Sequence, residues 1–137
     1  MGRLENHIAI VTGAGQGIGR AIALGMAREG ASVFIADLNG ANGTAVKQEI
    51  TARGGRAAAL CTDISEEQSV RAMVDVALKE FHRIDILVNN AGIFPTSPVE
   101  EMQEEEWDRV IGTNLVGTFL CSKAVVPHRR TQRPDTS

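Results

Sequence analysis

The chain has 137 residues, 43% of them hydrophobic and 23% charged, a composition typical of one soluble domain with a real core. A net charge of −3 argues against a general attraction to nucleic acid or to an anionic membrane. No apolar run approaches the length of a membrane span, and the N-terminus lacks a secretory pattern, so we expect a cytoplasmic protein. Cys61 and Cys121 lack metal-ligand spacing and are expected to be buried or half-buried free thiols.

Short apolar runs alternate along the chain with longer amphipathic stretches. The apolar runs predict strands at residues 7–12, 32–37 and 56–63, and a fourth strand that runs into a polar turn within residues 84–92. The amphipathic stretches predict helices at residues 18–30, 41–55, 65–83 and about 104–126. Strands that alternate with helices imply right-handed crossovers and a parallel sheet, so the fold class is α/β, doubly wound.

Two details of the helices can be checked. In the first helix, Ile18, Ile22 and Met26 recur at helical spacing and are expected to belong to its apolar pattern. In the third, Ser65 is the predicted N-cap and Gln68 completes a capping box.

A glycine-rich loop, "TGAGQGIG", joins the first strand to the first helix. Its spacing is G-x-x-x-G-x-G, formed by Gly13, Gly17 and Gly19, with Gly15 as an additional glycine. Glycines between a strand and a helix let the main chain approach a pyrophosphate, whose charge the helix N-terminus stabilises. The alternative is a glycine-rich connection used only for packing. A P-loop is excluded, since no Gly-Lys-Ser/Thr follows.

Two acidic residues end neighbouring strands. Asp37 ends the second strand, where a carboxylate can accept hydrogen bonds from the adenosine ribose and repel a 2′-phosphate. Gln16 supplies no cation for such a phosphate, so the two residues favour NAD over NADP; the alternative for Asp37 is a solvated strand-end acid. Asp63 ends the third strand and could accept the adenine amino group or form an Asx turn.

Four motifs occur in one order at mutually consistent spacing: "TGAGQGIG", "CTDIS" around Asp63, "NNAG" at Asn89–Gly92 and "GTNLVGTF" around Asn114. This ordered set resembles the short-chain dehydrogenase/reductase family of the classical type, and the resemblance runs from Arg3 to about His128. It implies a Rossmann-type fold, a nicotinamide cofactor, and hydride transfer between an alcohol and a ketone.

The resemblance also implies roles for individual residues. The loop positions that would meet the pyrophosphate are Gly13, Gln16, Gly17, Ile18 and Gly19. Asp37 would bind the adenine ribose, and Asp63 and Ile64 would meet the adenine. The positions that would flank the cofactor are Asn90, Ala91 and Gly92, in a turn that equally could serve to stabilise the sheet. Asn114 would be the member of the catalytic tetrad that helps to hold a water in the proton relay.

The family's remaining catalytic residues are a Ser and a Tyr-x-x-x-Lys. The Tyr-x-x-x-Lys has no match here, because the chain contains no tyrosine, and the catalytic Ser has none either. Ser122 and Lys123 precede the expected position and are interpreted as helix-surface residues. Residues 129–137 are polar and basic where a fifth strand is expected, so we expect an incomplete NAD-binding domain at residues 1–128, truncated after the fourth strand and the following long helix, and a disordered tail. The fourth strand would then be an edge that could pair with a second copy.

Two functions remain open at this point. The first is an NAD-dependent oxidoreductase acting on a secondary alcohol or ketone, here in a form whose independent turnover is doubtful. The second is an inactive nucleotide-binding or interaction module that pairs with itself or with a full-length relative.

Overall fold

Parallel strands alternate with helices in the part of the chain that the computed structural model describes, residues 2–90, 104–105 and 121–122. The strands are β1 (Ile8–Thr12), β2 (Ser32–Asp37), β3 (Ala57–Cys61) and β4 (Ile86–Val88). The helices between them are α1 (Gly17–Arg28), α2 (Gly40–Ala52) and α3 (Glu67–Phe81). Within these residues the sheet has the order β3-β2-β1-β4, which confirms the predicted doubly wound α/β fold of Rossmann type.

Strand β1 lies in the interior of the sheet and pairs in parallel with two partners. Ile8 is opposite Ser32 of β2, and Ala9 is opposite Ile86 of β4. All five residues of β1 are buried, as the continuous apolar run predicts for a strand covered on both faces. The carboxyl ends of β1 and β2 therefore lie side by side.

The two faces of the sheet carry separate apolar clusters, because successive side chains of a strand point to opposite faces. Ile10 and Phe34 belong to a cluster that includes the α3 residues Met73 and Val74. The opposite cluster is built from neighbouring strand positions and from α1 and α2, and includes Val11, Val33, Ile35, Leu24 and Val46. Full burial of two large side chains such as Ile10 and Phe34 contributes about 2–3 kcal/mol each to stability.

Two details of the helices differ from the sequence prediction. The N-cap of α3 is Glu66, without a side-chain cap hydrogen bond, and the Ser65 hydroxyl instead donates to Asp63 Oδ1 at 2.6 Å. The predicted capping box of Ser65 and Gln68 is therefore wrong, because the carboxylate two residues upstream binds the serine first. Ile18 begins the apolar pattern of α1, yet it is 74% exposed.

The two cysteines lie in different surroundings, and both are free. Cys121 is fully buried in the cluster on the α3 side, and burial raises the pKa of its thiol from 9.0 to about 11. Cys61 ends β3 and is exposed, which corrects the expectation of burial; its thiol donates to the Leu38 carbonyl at 3.3 Å.

The predicted long helix is described at four positions only, residues 104–105 and 121–122, and these are helical. Among the helices of the described ranges, none combines the length and apolar character that a bilayer span requires.

Candidate functional site

The glycine loop leaves β1 at the carboxyl edge of the sheet and runs beside the end of β2. Gly13 N donates to the Ala36 carbonyl at 2.7 Å, which ties the start of the loop to the neighbouring strand. Gly13 and Gly17 have φ angles of 65° and 60°, in the left-handed region that favours glycine. Gly17 is exposed, and a Cβ added there would meet no atom of the described residues within 4 Å, so the loop is open where α1 begins.

Helix α1 begins without a side-chain cap. Its N-cap residue, Gln16, has extended backbone angles and makes no cap hydrogen bond with its side chain, and the first turn contains no acidic residue. The first N–H groups of a helix lack intrahelical acceptors and lie at the positive end of its dipole. Gln16, Gly17 and Ile18 are exposed around these groups, so this end of α1 can receive an anion such as a pyrophosphate.

Gly19 brings α1 close to the loop. It is buried, and an added Cβ would overlap with the Gly13 carbonyl oxygen and with the Asn90 amide. Gly19 therefore allows the helix to start directly against the loop that precedes it, which is the packing role expected of the last glycine in such a motif.

Asp37 is held by two main-chain N–H groups. Its Oδ2 accepts from Gly15 N at 2.7 Å, and its Oδ1 accepts from Asn39 N at 2.8 Å. A carboxylate has about four lone-pair sites, so each oxygen keeps capacity for one more donor. The side chain is half-buried beside the glycine loop, where a pair of adjacent ribose hydroxyls could donate to it.

Arg20, the basic residue in the first turn of α1, binds a carboxylate of α2. Arg20 Nη2 lies 2.7 Å from both carboxylate oxygens of Glu49, and Arg53 Nη2 binds the same carboxylate at 3.1 Å. Glu49 therefore neutralises the Arg20 charge and directs this guanidinium toward α2.

Asn90 connects the end of β4 to the loop. Its Nδ2 donates to the Gly13 carbonyl at 3.2 Å, and its main-chain N donates to Thr12 Oγ1 at 3.0 Å. Thr12 Oγ1 in turn donates to the Val88 carbonyl at 3.3 Å. The sheet-stabilising role of the turn is thus present. Ala91 and Gly92 lie outside the described residues, as does Asn114.

Asp63 forms the turn that joins β3 to α3. Its Oδ1 accepts from the main-chain N of Ser65 at 3.0 Å and from the Ser65 hydroxyl, so the Asx-turn interpretation is observed. Ile64 is 6% exposed and packs in the cluster on the α3 side, so its main chain, rather than its side chain, is what an adenine could contact.

Sequence reasoning missed three residues of this edge. Gly15 carries one donor to Asp37, Asn39 carries the other, and Thr12 joins β1 to β4. Asn39 also caps α2, accepting from Asn42 N at 2.9 Å, and an Asn before a helix is a signal that could have been used. The contact of Gly15 with Asp37 could not be predicted from the local sequence, because it joins residues 22 positions apart.

Comparisons with known proteins agree with this geometry. A sequence model of the family described as short chain dehydrogenase matches residues 7–134. The short chain dehydrogenase/reductase astE of Aspergillus oryzae is 44% identical over 122 residues, which cover 88% of this chain and 47% of that protein. The cyclopentanol dehydrogenase of Comamonas testosteroni is 39% identical over 134 residues, covering 97% of this chain and 54% of the relative.

A solved structure is similar over the same region. The 7α-hydroxysteroid dehydrogenase in complex with NADH and 7-oxo glycochenodeoxycholic acid has a TM-score of 0.87 and 40% identity, over 92% of this chain and 49% of that one. This chain thus spans about half the length of the relatives that it matches. From the fold, the glycine loop and these matches, the chain belongs to the short-chain dehydrogenase/reductase family.

Proposed function

We propose that this chain forms the NAD-binding half of an oxidoreductase that acts on a secondary alcohol or ketone. The observation that carries the proposal is the Asp37 carboxylate, fixed at the carboxyl end of β2 by Gly15 and Asn39 beside the uncapped start of α1. A pyrophosphate at the helix start and a ribose diol at Asp37 are the two polar parts of an adenine dinucleotide.

The residues present fit this cofactor. The loop that would hold the pyrophosphate consists of Gly13, Gln16, Gly17, Ile18 and Gly19. Asp37 would accept the ribose hydroxyls, Asp63 and the main chain of Ile64 would lie near the adenine, and Asn90, Ala91 and Gly92 would flank the cofactor further along. When bound, the nicotinamide would exchange a hydride with the carbinol carbon of the substrate.

The preference for NAD over NADP follows from charge. A 2′-phosphate would place a dianion against the Asp37 carboxylate, which the two N–H groups hold in place. Gln16 brings no positive charge to the loop, and Arg20 is bound to Glu49. Together these three side chains disfavour the phosphorylated cofactor.

The relatives support the substrate class. Cyclopentanol is a secondary alcohol, and the solved hydroxysteroid dehydrogenase is a complex with NADH and a 7-oxo steroid. Asn114 is proposed to assist the proton relay of such a reaction. The 137 residues contain no tyrosine to exchange the hydroxyl proton, so we propose that this chain binds the dinucleotide without turning over by itself. We further propose a cytoplasmic protein in which β4, the last strand of the sheet among the described residues, can pair with a second copy.

Calorimetric titration of the 137-residue chain with NAD, NADP and ADP-ribose tests the proposal. ADP-ribose keeps the adenosine and the pyrophosphate but lacks nicotinamide, so we expect it to bind within roughly 3-fold of NAD. We expect NADP to bind at least ~10-fold more weakly than NAD, because one unfavourable charge contact costs about 1.4 kcal/mol or more. Tighter binding of NADP would contradict the cofactor assignment, and binding of none of the three would contradict the function.

A further inference from the structure

We propose that Gly15, which is not one of the three motif glycines, determines the discrimination between NAD and NADP by holding the Asp37 carboxylate in place. The inference rests on the proposed function, since it concerns the nucleotide that this site takes. Gly15 is thus a positioning residue, which acts on the cofactor through the side chain of Asp37.

Gly15 and Asp37 are in direct contact. Gly15 is buried, and its N–H donates to Asp37 Oδ2 at 2.7 Å, a short bond of the charge-assisted kind. The other oxygen, Oδ1, accepts from Asn39 N at 2.8 Å. The carboxylate is thereby held at both oxygens by main-chain groups, which have little freedom to move.

The space at position 15 is too small for a side chain. A Cβ added there would lie 2.7 Å from Asp37 Oδ2, 2.9 Å from Asp37 Cγ and 2.8 Å from Asn42 Cβ. Real Cβ atoms do not approach other heavy atoms so closely, so one of the partners must move. Asn42 Cβ is attached to the backbone of α2, whereas the Asp37 carboxylate can rotate about its side-chain bonds. The carboxylate therefore turns away from the added methyl group, while relief of the contact with Asn42 Cβ requires in addition a small shift of the loop or of α2.

A carboxylate fixed at both oxygens keeps one accepting site on each, which matches the two adjacent hydroxyls of an unphosphorylated ribose. The same fixed charge cannot turn away from a 2′-phosphate. A carboxylate displaced by a side chain at position 15 loses the paired acceptor geometry, and its charge also moves away from the phosphate. Substitution at Gly15 therefore weakens NAD binding much more than NADP binding.

A second glycine beside Asp37 provides a matched control. A Cβ added at Gly43 would lie 3.7 Å from Asp37 Cβ and 3.5 Å from Ile35 Cγ2, which are ordinary contacts. Gly43→Ala therefore adds the same methyl group next to the same aspartate without displacing its carboxylate.

The test is calorimetric titration of the full chain and of the Gly15→Ala and Gly43→Ala variants with NAD and with NADP. We expect Gly15→Ala to weaken NAD binding ~10-fold and to change NADP binding less than ~3-fold, as the loss of one charge-assisted hydrogen bond implies. The NAD/NADP affinity ratio therefore falls several-fold in Gly15→Ala and stays within ~2-fold of the wild-type ratio in Gly43→Ala. Circular dichroism and thermal melting establish that each variant is folded.

A second pair of variants covers the case in which Gly15→Ala does not fold. Asn42→Gly removes the Cβ that lies 2.8 Å from the added methyl, so the double variant Gly15→Ala/Asn42→Gly lacks the conflict with Asn42 and retains the conflict with the carboxylate. The same fall in the affinity ratio is expected between Asn42→Gly and the double variant.

The outcomes separate the two levels of the proposal. If the wild-type chain prefers NAD and Gly15→Ala lowers the ratio, the inference is supported. If the wild-type chain prefers NAD and the ratio is unchanged in the folded variant, the positioning role is overturned and the proposed function stands. If the wild-type chain binds neither nucleotide, the proposed function is overturned, and the inference with it.

Discussion

The amino and carboxyl edges of the sheet use their polar groups differently. At the amino edge, Ile8 N and Arg83 Nε both donate to Asp85 Oδ2, at 2.8 Å and 3.0 Å, and Arg83 Nη2 donates to the Asn6 carbonyl. These groups bind one another and join the segment before β1 to the start of β4.

At the carboxyl edge, corresponding groups face outward. The first turn of α1 has no side-chain cap, Gly17 opens to solvent, and Asp37 keeps an accepting site on each oxygen. The difference teaches that a parallel sheet can close the polar groups of one edge on one another and leave some of those at the other edge available to a ligand, because its loops and helix N-termini collect at the carboxyl ends of the strands. Mutation and pH can test this separation.

The largest effect on stability is expected at Gly19, a residue of the carboxyl edge that packs closely against the glycine loop. Gly19→Ala would place a methyl group on the Gly13 carbonyl oxygen, and a main-chain atom cannot move aside cheaply. We expect a loss of about 3 kcal/mol in the free energy of unfolding, measured with urea. The control is Gly25→Ala, whose methyl, among the described residues, meets only Arg28 Nη2 at 3.7 Å and should stabilise α1 by up to ~1 kcal/mol. Equal stability of Gly19→Ala and wild type would disprove the close packing.

The buried thiol of Cys121 makes the free energy of unfolding depend on pH. Burial raises the pKa of Cys121 to about 11, from 9.0, so between these values the folded chain keeps a proton that the unfolded chain releases. Stability contributed by the neutral thiol is therefore complete below pH 9 and is lost as the pH rises toward 11, by about 2–3 kcal/mol. Urea unfolding at pH 8 and pH 11 measures the loss. It should persist in Cys61→Ala and decrease in Cys121→Ala.

Asp85→Ala should break the amino edge alone. The variant leaves Ile8 N, in a residue that is 6% exposed, without the Asp85 acceptor, and also removes the ion pair with Arg83. We expect the free energy of unfolding to fall by about 2 kcal/mol. NAD affinity, measured at a temperature where the variant is folded, should stay within ~2-fold of wild type. A large loss of affinity would show that the two edges are coupled.

Asp37→Asn should have the opposite profile. The amide is nearly the same size and keeps one accepting oxygen, but it loses the charge, one acceptor for the ribose hydroxyls, and the acceptor of one of the two main-chain N–H groups, of Gly15 or of Asn39. We expect a ~10-fold loss of NAD affinity, about 1.4 kcal/mol, with a smaller change in the urea midpoint. Asp75→Asn, at an exposed position of α3, is the control and should leave NAD affinity unchanged. Full NAD affinity in Asp37→Asn would exclude its carboxylate from the site.

The smallest effect is expected at the C-cap of α3. His82 has a φ of 74°, a left-handed conformation that glycine adopts at lower cost. His82→Gly should therefore stabilise the chain by about 0.5–1 kcal/mol, and thermal melting should show a rise. Lys79→Gly, inside the last helical turn, should be destabilising by ~1 kcal/mol. Destabilisation by His82→Gly would mean that its side chain contributes more than its backbone costs.

The fold was predictable because its strands are continuous apolar runs. Residues 32–37 form β2 as predicted, and β1 begins one residue later than the predicted 7–12. The fourth strand was predicted to run into a polar turn within residues 84–92; β4 ends at Val88, and Asn90 then binds Thr12 and Gly13 instead of continuing the ladder.

The site was predictable where a residue type carries its own chemistry, and less so where a contact depends on the finished sheet. The position of the glycine loop between β1 and α1 and that of Asp37 at the end of β2 could be predicted from local sequence, while their role in binding stays a prediction. Gly15 could not, because its contact with Asp37 exists only once β1 and β2 end side by side. The N-cap prediction for Ser65 was wrong because an N-cap and an Asx turn use the same residue types. Here the Ser65 hydroxyl binds Asp63 in the turn instead of capping α3.

The position of β1 between β2 and β4 also bears on how fast the chain can fold. The hydrogen bond of Ile8 N with Asp85 closes a separation of 77 residues, and that of Asn90 N with Thr12 closes 78. Such long loops must be ordered before their contacts repay the entropy, so parallel pairing of this kind is slow. We expect β1, β2 and β3 to associate first and β4 to dock last, so that Thr12→Val mainly accelerates unfolding and leaves the refolding rate nearly unchanged.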